Sequence, residues 1–164
     1  MMQSQILSKV RSSYGLLVTV ASYLQSPLLL AVRLYWGWSF FQTGWGKLTH
    51  HAQTTEFFTD LHIPLPGLNA YMAGAVECFG GLLLIVGLAS RLTAIPLIFT
   101  MVVAYLTDEF EAVKNIFAEP DKFTAATPFL FLFASVLIFV FGPGAFSLDR
   151  LIATKFGSEP ATKS

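Results

Sequence analysis

Glu77 stands near the middle of an apolar run, Leu68 to Ala89, that is long enough to cross a bilayer. A carboxylate at that depth is costly unless it is protonated, paired or solvated by a cavity. Arg33, in an earlier run of about 28–46, is the only basic residue inside a predicted span and is the expected partner, while Lys47 follows just beyond the outer end of that earlier run. Two kinds of chemistry are open to these three residues. The pair can neutralise itself and hold helices in register. Alternatively, Arg33, Lys47 and Glu77 can bind a ligand or pass a proton. The helical rise puts Arg33 roughly 7 Å and Glu77 roughly 17 Å from the same membrane face. Side chains lean toward their own helix N-terminus, which separates the two further in antiparallel helices. A bridge through water or a ligand therefore suits the pair as well as direct contact does.

Other polar residues carry less. His50, His51 and His62 lack HxxH or HxH spacing, so no metal site is expected. Cys78 is the single cysteine, which excludes an internal disulfide or a CxxC relay. Within an apolar helix its thiol is expected to be inert. Trp36, Trp38, Trp45 and Tyr71 read as packing and interfacial anchors. No phosphate loop, haem-ligand pair or nucleophile–base arrangement is present in the sequence.

The elements that position Glu77 follow from composition. The chain is 54% hydrophobic and only 12% charged, against about 25% charge in soluble domains. Lipid is the expected solvent. Formal net charge is zero, which supplies no argument for a nucleic-acid partner. Four stretches are long enough to span: about 28–46, 68–89, 92–106 and 125–141. In lipid each must satisfy its own backbone, so each is expected to be a helix. The fold expected is all-α, a membrane-embedded four-helix bundle with an N-terminal amphipathic surface helix. In domain terms, residues 1–26 form a cytoplasmic amphipathic segment, 27–151 the bundle and 152–164 a flexible tail. The N-terminal helix is inferred from a stripe of Leu7, Val10, Tyr14, Leu17, Ala21 and Leu24.

Orientation follows from basic residues. Lys9, Arg11, Arg91, Arg150, Lys155 and Lys163 fall on the side of the termini, and Lys47, Lys114 and Lys122 on the other. The positive-inside rule puts both termini in the cytoplasm. Around Glu77, the residues Ala70, Ala73, Gly74, Gly80, Gly81 and Leu84 share one helix face. A small-residue face permits close helix approach, so Glu77 is expected to point into the bundle. Arg33, Gly37, Phe40, Gly44 and Lys47 form the matching stripe on the first span.

Three runs of residues resemble the DoxX family of membrane proteins. The first is Arg33 to Gly37 followed by Gly44-Trp45-Gly46-Lys47-Leu48. The second is Glu77 to Leu88 with Ser90-Arg91 and Ala94, and the third is Gly142 to Asp149. The resemblance covers about Leu28 to Leu151. It implies a four-helix bundle in the bacterial inner membrane, with Arg33, Lys47 and Glu77 as candidate ligand or proton residues. It also implies a structural signature of Gly44, Gly80, Gly81, Arg91, Gly142, Gly144 and Asp149. The family connection suggests an accessory subunit of a membrane oxidoreductase. Such a chain has no intrinsic cofactor and would borrow a quinone or the cofactor of a partner subunit. A carrier of small solutes or protons and a non-enzymatic assembly factor are the alternatives. The sequence leaves the oligomeric state open.

Overall fold

A computed structural model describes the backbone of residues 2–156 and the side chains of residues 14–155. The tail from residue 157 onward, and the Leu7 and Val10 side chains of the N-terminal stripe, lie outside the described residues. Eight helices are present among them: α1 (Met2–Thr49), α2 (His51–Asp60), α3 (Pro66–Val86), α4 (Ser90–Thr107), α5 (Phe110–Lys114), α6 (Pro120–Ala125), α7 (Pro128–Phe141) and α8 (Leu148–Phe156).

Among the described residues, three helices carry a segment long and apolar enough to cross a membrane: Tyr14–Thr49 of α1, α3 and α4. The fourth expected span is shorter than its apolar run suggests. The backbone extends at Ala126, and α7 begins with Pro128 in its first turn. Its 14 residues reach about 21 Å at the α-helical rise, short of a hydrocarbon core of about 30 Å. The N-terminal region also differs from expectation in one respect. No helix end falls at residue 26, because α1 continues through Pro27. Proline removes one backbone donor, but the turns on either side hold the helix. Residues 14–25 are exposed along their whole length, and Leu29 is the first buried position of α1 among the described side chains.

Packing closes a ring. α1 lies against α3, α3 against α4, α4 against α7, and α7 returns to α1. Phe40, Leu84, Ala94, Leu97, Met101 and Ile138 form the core between them. The α1–α3 seam is the tightest. A Cβ built on Gly44 would stand 2.2 Å from the Cys78 amide nitrogen, and one on Gly81 would stand 2.5 Å from the Gly37 carbonyl oxygen. Only hydrogen fits there, so the two backbones touch. Backbone contact of this kind is how helices associate in lipid, where apolar burial supplies no drive. Most of the expected inward stripe is buried: Arg33, Gly37, Phe40 and Gly44 on α1, and Ala70, Gly74, Glu77, Gly80, Gly81 and Leu84 on α3, with Lys47 and Ala73 half-buried; Cys78, outside the expected face, is buried as well.

Candidate functional site

Glu77 points into the bundle, and its partner is Lys47. Lys47 Nζ donates to Glu77 Oε1 in a direct ion pair. The carboxylate side chain is 1% exposed and the lysine 30% exposed. Helix direction explains the choice. The close approach of Gly44 to Gly74 and Cys78 sets the two helices' register. Lys47 Cβ then lies against Gly74, one turn outward from Glu77. Lys47 leans back toward the N-terminus of α1, which is inward, while Glu77 leans toward the N-terminus of α3, which is outward. The two side chains converge.

Arg33 is not part of this pair, contrary to the sequence expectation. It is fourteen positions from Lys47 on the same helix, about 21 Å along the axis. Its guanidinium is nearly fully buried and is spent on main-chain carbonyls. Nε donates to Leu84 O at 2.8 Å, Nη1 to Pro143 O at 2.6 Å and Phe146 O at 2.8 Å, and Nη2 to Ile85 O at 3.1 Å. The carbonyls at a helix C-terminus lack intrahelical partners and carry partial negative charge. Arg33 meets those of α3 and joins them to the α7–α8 turn. Gly87, at φ 71°, closes α3 beside it, and a Cβ there would stand 2.4 Å from Arg33 Nη2.

Asp149, Arg91, Gly142 and Gly144 of the signature gather at this same end. Asp149 Oδ1 accepts from the Ala89 amide at 2.6 Å and Oδ2 from the Ser90 amide at 2.9 Å. Together these cap the N-terminus of α4 from a distant segment. Arg91 Nη2 donates to Val140 O at 3.2 Å near the end of α7, beside Gly142. Gly144 backs onto Leu29 and Ser26 of α1. Gly80 differs from Gly81, because it faces the Leu97 side chain of α4 rather than backbone.

At the opposite end, Lys47 and Glu77 stand in the wall of a cavity of about 610 Å³. Its lining is mainly apolar. Met72 and Val76 of α3, Met101 and Ala104 of α4 and Phe131 of α7 contribute, with Phe57 and Phe58 of α2 over it. α2 is attached to α3 by the His51 ring at 3.0 Å from Gly67 O. The segment from α2 to α3 also lines the cavity, and both His62 (φ 56°) and Leu65 (φ 48°) take left-handed backbone conformations there.

One polar atom in this wall is unmatched. Glu77 Oε2 is buried and has no hydrogen-bond partner among the described residues. A buried oxygen left unmatched costs free energy. Lys47 retains donor capacity beyond its single bond to Oε1. The arrangement is an apolar chamber with an acceptor and a cationic donor side by side. It suits a small amphiphile that presents carbonyl or hydroxyl groups at one end. Sequence reasoning missed the role of α2 as cover, since its ten residues are mostly polar and carry no span signal.

The comparisons with known proteins agree with this architecture. The DoxX family profile matches residues 28–110, half of the chain. The "Inner membrane protein YqjF" of Escherichia coli is 30% identical over 130 residues, covering 78% of this chain and 94% of that protein. The "Putative oxidoreductase CatD" of Bacillus subtilis is 29% identical over 123 residues, covering 75% of this chain and 85% of that protein. The "Uncharacterized membrane protein Rv3486" of Mycobacterium tuberculosis is 29% identical over 136 residues, covering 79% and 83%. No solved structure matches the chain.

Proposed function

The chain belongs to the DoxX family and is an integral membrane protein, and from that premise we propose that it is a quinone-binding accessory subunit of a membrane oxidoreductase. The observation that carries this reading is the unpartnered Glu77 Oε2 beside Lys47 in the wall of an apolar cavity. A quinone would supply two-electron redox chemistry when bound. The residues fit such a group. Lys47 Nζ can donate to a carbonyl oxygen, Glu77 Oε2 can accept from a hydroxyl, and the methionine and phenylalanine lining shields an apolar ring from water. Glu77 can also hold or release a proton beside the ligand, with Lys47 balancing its charge.

The redox assignment draws its support from the family and from the oxidoreductase name of one relative. One cysteine in the chain excludes an internal thiol couple, so electrons must come from a partner subunit. The inner membrane is the proposed location, in keeping with the name of the Escherichia coli relative, and both termini are assigned to the cytoplasm by the basic-residue count. A carrier using Arg33, Glu77 and Lys47 in series is less favoured, because Arg33 is bound to carbonyls at the far end of α1.

The test is equilibrium binding of a short-chain ubiquinone analogue to the full-length protein in mild detergent. Saturable binding is expected, weakened about tenfold or more by Ala104→Phe, which fills the cavity, and by Glu77→Gln. Absence of saturable binding, or affinity indifferent to both substitutions, would leave the assembly-factor reading in its place.

A further inference from the structure

We propose a second site, at the other end of the bundle, that binds the phosphate headgroup of an anionic phospholipid. A cavity of about 710 Å³ lies between the first turn of α4, the end of α7 and α8. Arg91 and Arg150 both line it. Arg91 uses one donor on Val140 O, which steadies its guanidinium and leaves further N–H groups for a ligand. Arg150 is exposed, and its side chain makes no hydrogen bond or ion pair among the described residues. Ser90 lines the same cavity, is fully buried, and has a hydroxyl without a partner among the described residues. An unmatched buried hydroxyl in a cavity lined by two arginines is a place for an anionic oxygen. Asp149 also lines this space, but both its oxygens are held by the Ala89 and Ser90 amides.

The surroundings identify a lipid rather than a free anion as the source of the phosphate. Leu92 and Phe141 line the cavity and are strongly exposed, offering an apolar path for an acyl chain toward the bundle surface. α8 presents Leu148, Leu151 and Ile152 on one exposed stripe, the pattern of a helix lying in the membrane interface. Arg150 lies off that stripe, on the side of the cavity. The headgroup level of the leaflet on the side of the termini therefore passes through the arginines. Two guanidinium groups suit a phosphate better than lysines, because they offer paired, planar donors. This site is independent of the Lys47–Glu77 cavity, so either can fail without the other.

The experiment uses the full-length protein in a neutral detergent, with thermal unfolding followed as short-chain lipid is added. Phosphatidylglycerol is expected to raise the unfolding temperature in a saturable manner, while phosphatidylcholine and inorganic phosphate do little. Arg150→Gln and Ser90→Ala should each weaken the response, by about tenfold in affinity for the arginine. Lys155→Gln, on α8 but outside the cavity, should leave it unchanged. Arg150 holds no other group in place, so its variant should fold normally. The proposal is overturned by an equal response to phosphatidylcholine, by inorganic phosphate reproducing the whole effect, or by an unaltered response in Arg150→Gln.

Discussion

At the residue scale, two buried charges in one membrane bundle do different work. Glu77 has a single bond to Lys47 and an idle oxygen in a cavity wall, whereas Arg33 has four bonds and no idle role. Their substitutions should therefore differ in kind. Glu77→Gln keeps an acceptor for Lys47, whose partly exposed ammonium can turn outward. It should unfold within a few degrees of the parent yet lose quinone binding, read by thermal unfolding and ligand titration on the same sample. Full binding in that variant would remove Glu77 from the site. Arg33→Gln should be the more damaging change. It strands several buried carbonyls, at about 1–3 kcal/mol for each group left unmatched, and unties the ends of α3 and α7. Arg33→Lys should restore little, since an ammonium cannot reproduce the fork that reaches two loops. A denaturant titration showing Arg33→Gln as stable as Glu77→Gln would contradict this division. The need for a partner at Glu77 was legible from depth alone. The identity of the partner was not, because span ends drawn at Gly46 excluded a lysine whose stem reaches back into the bilayer.

At the element scale, the α1–α3 seam is the structural commitment of the bundle. Gly44→Ala and Gly81→Ala push a methyl into facing backbone, which cannot swing aside. Each should cost about 1–3 kcal/mol, the range for overpacking. Gly80→Ala meets only the end of the Leu97 side chain, at 3.0 Å from Cδ2, and rotation of that leucine should keep its cost well below the others. Phe139, half-exposed on α7, should tolerate leucine. Ranking the four variants by resistance to detergent-induced unfolding checks the order. Similar losses at Gly80 and Gly81 would mean that α3 and α4 are as tightly apposed as α1 and α3. The small-residue face was visible as a periodicity in the sequence. Which glycine faces backbone and which faces a side chain depends on the neighbouring helix, and the period alone does not carry that.

At the scale of the whole molecule, the two ends of the bundle have separate tasks. The end bearing the α3–α4 and α7–α8 turns is a polar joint built from Arg33, Asp149 and Arg91. The other end is hollow and covered by α2. In the orientation we propose from the basic-residue count, the joint faces the cytoplasm and the hollow end the outer side. An alkaline phosphatase reporter, active only outside the cytoplasm, should be silent when fused after Lys163 and active when inserted in the α5–α6 region. The opposite pattern would invert the proposed orientation and place the cavity on the cytoplasmic side.

Composition and period were enough for the helical class, the membrane setting, the small-residue seam and the presence of a buried, paired carboxylate. Each of these depends on local properties: hydropathy over a window, side-chain size at helical spacing, and the cost of charge at depth. The pairing of Lys47 with Glu77 and the carbonyl cluster around Arg33 are different in origin. They depend on how far one helix slides along another. That offset is set by glycine-to-backbone contacts between residues thirty or more positions apart, such as Gly44 with Gly74 and Cys78. No window of the chain contains both sides of such a contact. The cavity has the same origin, since it is the space left where four helices and α2 fail to fill the volume between them.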